Sequence, residues 1–153
     1  MSQKITPNLW FNGNAKEAVE FYVSVFPDSK ILSTEYYPKT TDEGLADFQL
    51  GLAGEPLVIE FILSGQNYVA INAGPEFSFT EAVSFSVGCK DQEEIDYYWS
   101  KLSTVPEAEQ CGWCKDQFGL SWQVVPENVE ELMKKPGAYK NMMEMKKLVI
   151  ADF

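Results

Sequence analysis

Ile5-Thr6-Pro7-Asn8-Leu9-Trp10-Phe11, followed shortly by Asn14-Ala15-Lys16-Glu17-Ala18-Val19-Glu20-Phe21-Tyr22, decides the fold of this chain. The first stretch alternates in the manner of a strand. In the second, Ala15, Ala18, Val19, Tyr22 and Phe26 recur at helical spacing and form one apolar stripe. Asn14 stands where an N-cap belongs and Glu17 follows three residues later, the spacing of a capping box; Pro27-Asp28 ends the helix. The same pattern then returns. Residues 83–89 alternate, and Glu93-Glu94-Ile95-Asp96-Tyr97-Tyr98 matches Glu17-Ala18-Val19-Glu20-Phe21-Tyr22 at one constant offset. Asp91 is the second cap, and Ile95, Tyr98, Trp99 and Leu102 the second stripe. A strand followed by a helix, twice, marks an internal repeat, which resets the architecture to be considered.

Working outward, further strands are predicted over 31–37, 46–52, 57–63 and 68–72 after the first helix. After the second they are predicted over 109–115 and 120–125, with a weakly marked one within 104–108. The expected fold is α+β. Two βαβββ modules, residues 1–75 and 80–126 of a single domain, form curved mixed sheets around a cleft, and residues 127–153 form a helical tail.

Side chains alternate across a strand, so one parity packs on the helix and the other faces away. Ile5, Leu9 and Phe11 are expected to pack, and Thr6, Asn8 and Trp10 to face away. The same rule sets Phe48, Leu50 and Leu52 against Asp47 and Gln49, and Val69 and Ile71 against Ala70 and Asn72. In the second module it sets Val83, Phe85 and Val87 against Ser84 and Ser86, and Trp122 and Val124 against Ser121 and Gln123. Small and polar residues recur on the outward parity. A solvated outer face would look similar, but the amphipathic ring of Trp10 suits a ligand cleft better.

Composition narrows the chemistry. The 153 residues include no histidine. That removes Ser-His-Asp and Cys-His nucleophilic systems, His-ligated zinc and haem held by a proximal His. Net charge is −11, with 23 acidic against 12 basic residues, which disfavours nucleic acid and anionic membranes as partners. No apolar run approaches the roughly 18 residues of a membrane span, and residues 1–5 show no signal-peptide pattern. A soluble cytoplasmic protein is expected. The odd set Cys89, Cys111 and Cys114 is expected to stay reduced.

Several segments go further than the repeat. They are Ile5 to Phe11 running into Ala18-Val19-Glu20-Phe21-Tyr22, Glu60-Phe61, Ala70-Ile71-Asn72-Ala73-Gly74-Pro75, and Cys111-Gly112-Trp113. Asp116-Gln117-Phe118-Gly119-Leu120-Ser121-Trp122-Gln123 and the close Met142-Met143-Glu144-Met145-Lys146-Lys147 complete the set. Together they resemble the vicinal oxygen chelate superfamily of glyoxalases, bleomycin-resistance proteins and dioxygenases, in its PhnB-like branch. That branch often carries a "3-demethylubiquinone-9 3-methyltransferase-like" label. The resemblance implies the paired-module fold. It leaves function to the site. Methyltransferase activity is not expected, because no G-x-G-type loop between strand and helix is present to cradle a nucleotide cofactor.

Metal-dependent relatives place four ligands, usually His and Glu, on the concave sheet faces. By motif register these fall at Thr6, Asn72, Ala82 and Gln123, none of which is a strong donor for a transition metal. No metal and no cofactor are therefore expected. Asn72 and Gln123 become paired amides on the cleft floor, with Trp10, Asn8, Gln49, Ser84 and Trp113 as further ligand-binding candidates. Glu60, in the apolar run Val58-Ile59-Glu60-Phe61-Ile62, and Asp47 are the candidate catalytic carboxylates, each also readable as a solvated side chain. Cys111-Gly112-Trp113-Cys114 has redox-motif spacing but lies in a strand-like segment rather than at a helix start. Asp116 and Gly119 are expected in a tight turn.

The leading expectation is a metal-free protein that binds a planar or aromatic small molecule. The alternatives are a metal-independent lyase or isomerase, or a glyoxalase- or dioxygenase-like enzyme with an unplaced metal site. A homodimer is expected from the open sheet edges and from apolar Tyr139, Met142, Met143, Met145 and Leu148 in the tail.

Overall fold

The computed structural model describes residues 3–153. The chain divides into two compact units between Ser78 and Phe79. The first contains β1 (Asn8–Asn12), α1 (Ala15–Val25), β2 (Lys30–Tyr36), β3 (Pro56–Leu63) and β4 (Gln66–Ala73). Its sheet runs in the order β1-β4-β3-β2, with β1 parallel to β4 and the other pairs antiparallel. β3 and β4 are joined by the two-residue turn Ser64-Gly65, both at positive φ (47° and 82°). That is the backbone twist a tight hairpin needs.

Helix α1 packs mainly on β3 and β4. Its stripe of Ala15, Ala18, Val19 and Tyr22 is fully buried and meets Leu9, Phe11, Ile59, Phe61, Leu63 and Ala70 on the helix-side parity of the sheet, all buried. This layer is the core of the unit, and each of these large apolar side chains contributes roughly 1.5–3 kcal/mol by leaving water.

The second unit contains β5 (Ser84–Cys89), α2 (Gln92–Leu102), β6 (Trp113–Lys115) and β7 (Ser121–Pro126), followed by α3 (Val129–Leu132) and α4 (Ala138–Met143). Its sheet runs β5-β7-β6, with β5 parallel and β6 antiparallel to β7. Asp91 caps α2 as expected, its Oδ1 accepting the Glu94 N–H at 2.9 Å. Asp116 organises the turn into β7. Its carboxylate accepts from the backbone N–H groups of Phe118 (2.8 Å) and Leu120 (3.0 Å) and from the indole N–H of buried Trp122 (2.8 Å).

Several sequence expectations are corrected. Residues 47–52 form a 3-10 helix, not a strand. Phe48 and Leu50 are 83% and 57% exposed rather than packed, because strand parity does not apply to a helical turn. Ile5 and Val83, also expected to pack, are exposed, lying just outside β1 and β5. The weakly marked strand within 104–108 is a 3-10 turn at Pro106–Ala108. Among the described residues the second sheet therefore has three strands where a full βαβββ module would have four.

The tail also differs from expectation. Leu132, Ala138, Leu148 and Phe153 form a buried cluster, with Val125, Met133, Met142, Met145 and Ile150 packed against it. Backbone bonds from Cys111 N–H to Met145 O (2.7 Å) and from Gly112 N–H to Lys146 O (2.8 Å) tie the tail down. Much of the apolar surface that suggested a partner chain is thus satisfied internally. Tyr139 and Met143 stay exposed.

Candidate functional site

Residues paired directly across neighbouring strands share a face, so register places each candidate side chain. In the first unit, Leu9, Ala70 and Ile59 form one row, all buried on the helix side. The alternate rows form the face that α1 does not cover. One contains Asn8, Val69, Glu60 and Ser33; the next contains Trp10, Ile71, Val58 and Glu35.

Trp10 and Asn8 therefore face as expected, and Glu60 joins them. The Glu60 carboxylate accepts from the Ser33 hydroxyl at 3.2 Å. The Trp10 ring is fixed by its indole N–H, which donates to Gly74 O at 2.9 Å, and by an edge contact with Phe77 at 4.8 Å. Beside this row lies a hollow of about 180 Å³ lined by Thr6, Leu32, Glu60, Asn67, Tyr68 and Val69.

Asn72 does not belong to this face. β4 carries the opposite parity from the one expected: Ala70 and Asn72 point to α1, while Val69 and Ile71 lie on the open side. Asn72 is 3% exposed. Its Oδ1 accepts the Ala15 N–H at 3.1 Å, its Nδ2 donates to Pro56 O at 2.9 Å, and its backbone oxygen accepts from the Tyr37 hydroxyl at 2.6 Å. Burial and the nearby Glu76 carboxylate raise the Tyr37 hydroxyl above its ordinary range. Asn72 thus caps α1, the role sequence assigned to Asn14, whose side chain makes no capping bond. Asp47 and Gln49 stand on the 3-10 helix, outside both rows. The Gln49 amide oxygen accepts the Ala46 N–H at 3.1 Å, closing its own turn.

In the second unit the expected parity holds. Ser84, Ser86, Gln123 and Trp113 share the face opposite buried Trp122 and Val124. Gln123 Nε2 donates to Ser84 Oγ at 2.9 Å, and Trp113 stands directly across from Gln123.

The cysteines lack the character of redox groups. Burial, aided by nearby carboxylates, pushes the thiols of Cys89 and Cys114 up to about 12. Cys111 is also raised by burial. All three are free thiols, and none stands at a helix start, where a thiolate would be favoured.

The donor set does not fit a divalent transition metal. Among the described residues no three Cys, Asp or Glu side chains come together in a group that could hold one. The open face of the first sheet offers two carboxylates in different rows, Glu60 and the outer Glu35, with neutral Asn8 and Ser33, too few strong donors for such a metal. A nucleotide cofactor such as S-adenosylmethionine is no better served. The start of α1 is taken by Asn72 and that of α2 by Asp91, where a phosphate- or nucleotide-binding loop would leave its N–H groups open. Among the described residues no helix is long and apolar enough to cross a membrane.

Mixed α+β sheets with helices on one face, and polar and aromatic side chains on the other, define a protein of the glyoxalase-type, PhnB-like class. Residues 3–125 match the family described as 3-demethylubiquinone-9 3-methyltransferase, and the chain belongs to that family. It is similar to the solved PhnB protein of Bacillus cereus, which provisionally carries the same methyltransferase description. Identity is 34%, with 80% of this chain and 99% of that one covered and a TM-score of 0.63. Protein PA1353 of Pseudomonas aeruginosa shares the fold at 20% identity and a TM-score of 0.56, over 82% and 98% of the two chains. The Arabidopsis thaliana gene product AT5G48480 does so at 22% and 0.50, over 81% and 98%. No curated protein matches the chain. Family membership supports a glyoxalase-like small-molecule-binding protein.

Sequence reasoning did not single out Ser33 and Asn67, which the structure places near Glu60. Ser33 lies among Lys30, Thr34 and Glu35 in a strand whose composition does not set it apart.

Proposed function

We propose that this protein binds a flat small molecule on the open face of its first sheet without using a metal ion. The observation that carries the reading is the placement of Trp10, Asn8 and Glu60 on one uncovered face. The Trp10 ring is held by hydrogen bond and edge contact, and the only strong metal donor in the two rows nearest it, apart from outer Glu35, is Glu60. A fixed indole offers a stacking surface at little cost in conformational entropy, and polar neighbours orient what stacks there. The face of Ser84, Gln123 and Trp113 in the second unit has a similar make-up and is proposed as a ligand-contact face of that unit in its own right.

The test is a thermal-shift screen of flat aromatic compounds against the wild type and Trp10→Ala. A ligand at 100 times its dissociation constant adds roughly 2.7 kcal/mol, a readily measured shift, and the reading expects Trp10→Ala to lose it. Shifts that survive Trp10→Ala unchanged contradict the site.

The same reading includes a homodimer. β2 is an outer strand with Ile31, Leu32 and Tyr36 exposed, and such edges favour further association. A monomeric mass by light scattering at micromolar concentration contradicts it.

A further inference from the structure

The hollow beside Glu60 has a chemistry more specific than a flat surface. Its one ionisable side chain is the Glu60 carboxylate; Tyr68 borders the hollow, but its ring stacks on buried Phe61 on the α1 side of the sheet. Among the described residues no lysine pairs with Glu60. The Ser33 hydroxyl occupies one position on Oε2, and an ionised carboxylate has about four such positions. Leu32 and Val69 supply apolar wall, and Thr6 and Asn67 neutral polar groups.

Its size limits what it takes. A hollow of about 180 Å³ is below the roughly 300 Å³ at which pockets for whole drug-sized ligands begin, so it suits a head group. The rest of the molecule would lie on the same open face. Glu60 is in the row next to that of Trp10, two strands away. Strand spacing and residue rise put their Cα atoms about 12 Å apart, less between side chains that lean toward each other.

We infer that the Glu60 hollow is a subsite for an ammonium group, and that the ligand of this face is an amphipathic amine whose flat apolar body lies on Trp10. This rests on the ligand-binding reading above and names the ligand class. A carboxylate held by a hydroxyl beside neutral walls attracts a cation and repels an anion. The overall charge of −11 adds a field of the same sign, favouring the approach of cations.

The test uses 4-phenylbutylamine and its neutral isostere 4-phenylbutan-1-ol as probes, by calorimetry at low salt, on the wild type, Glu60→Gln and Trp10→Ala. Glu60 is exposed, so its substitution leaves the core intact, and the melting temperature without probe checks that each variant is folded. The expected result is that the wild type binds the amine about five- to tenfold more tightly than the alcohol, the range for a charge-assisted contact near water. Glu60→Gln should remove that preference, and Trp10→Ala should weaken both probes alike. Equal binding of amine and alcohol in the wild type overturns the ammonium subsite while the ligand-binding reading stands. Amine preference that persists in Glu60→Gln overturns it too. Binding of neither probe overturns both. Binding of the amine only after zinc or nickel is added also overturns it, because Glu60 would then be a metal ligand.

Discussion

The side-chain oxygen of Asn72 caps helix α1 by accepting the Ala15 N–H at 3.1 Å, joining the last strand of the first sheet to the start of its helix. The same amide donates to Pro56 O, so one buried side chain satisfies backbone groups on two further segments. A residue at a position where metal-dependent relatives are expected to hold a ligand is thereby committed to architecture. Polar groups this deeply buried are tolerated because they are hydrogen-bonded.

Asn72→Ala should destabilise the protein by about 2–4 kcal/mol, since it removes two hydrogen bonds and leaves a buried donor and a buried acceptor unpaired. Urea denaturation measures this. The folded variant should keep the ligand affinity of the wild type, because Asn72 does not reach the open face. A large affinity loss with unchanged stability would return Asn72 to the binding site.

Gly112→Ala should cost more than Gly119→Ala. Both glycines have positive φ, 90° and 89°, so both substitutions carry the left-handed penalty of about 1–2 kcal/mol. At Gly112 an added Cβ would also meet Leu148 Cδ1 at 3.0 Å and Val124 O at 3.2 Å, whereas at Gly119 it meets nothing within 4 Å. The excess, about 1–3 kcal/mol, should come with faster proteolysis of the tail, which Leu148 anchors. Equal losses at the two positions would mean that the Leu148 contact is unimportant.

Stability should decline as the solution becomes alkaline. Burial raises the thiols of Cys89 and Cys114 from an ordinary 9.0 to about 12. Between those values the unfolded chain loses these protons while the folded chain keeps them. The unfolded state is then favoured progressively as pH rises. Well below 9, where the thiols stay protonated in both states, they contribute no slope. Tyr37, Tyr68 and Tyr98, all raised by burial from 10.0, act in the same direction at the alkaline end. Denaturation at a series of pH values should show the decline, and Cys89→Ala with Cys114→Ala should flatten it. An unchanged slope in the double variant contradicts the assignment.

The repeat was legible because hydrophobic period and caps agree: Ala15 to Tyr22 and Ile95 to Leu102 are helical stripes that tertiary packing keeps. The open face was legible at Trp10, Asn8, Ser84 and Gln123, since β1, β5 and β7 alternate without interruption. It was not legible at Asn72. A polar residue at the end of an apolar strand satisfies the outward parity by composition, and only the register with Phe11 reveals that it points inward. Asp47 and Gln49 failed for a different reason. Phe48, Leu50 and Leu52 carry strand period in a 3-10 helix whose apolar side chains stay largely exposed, so alternation there reports no buried face.

The most direct test of the central claim is equilibrium binding of a flat aromatic ligand to protein stripped with EDTA, repeated after adding back zinc, nickel, manganese or iron. The account predicts the same dissociation constant in every case, and its loss in Trp10→Ala. Binding abolished by EDTA and restored by one of these metals would contradict it.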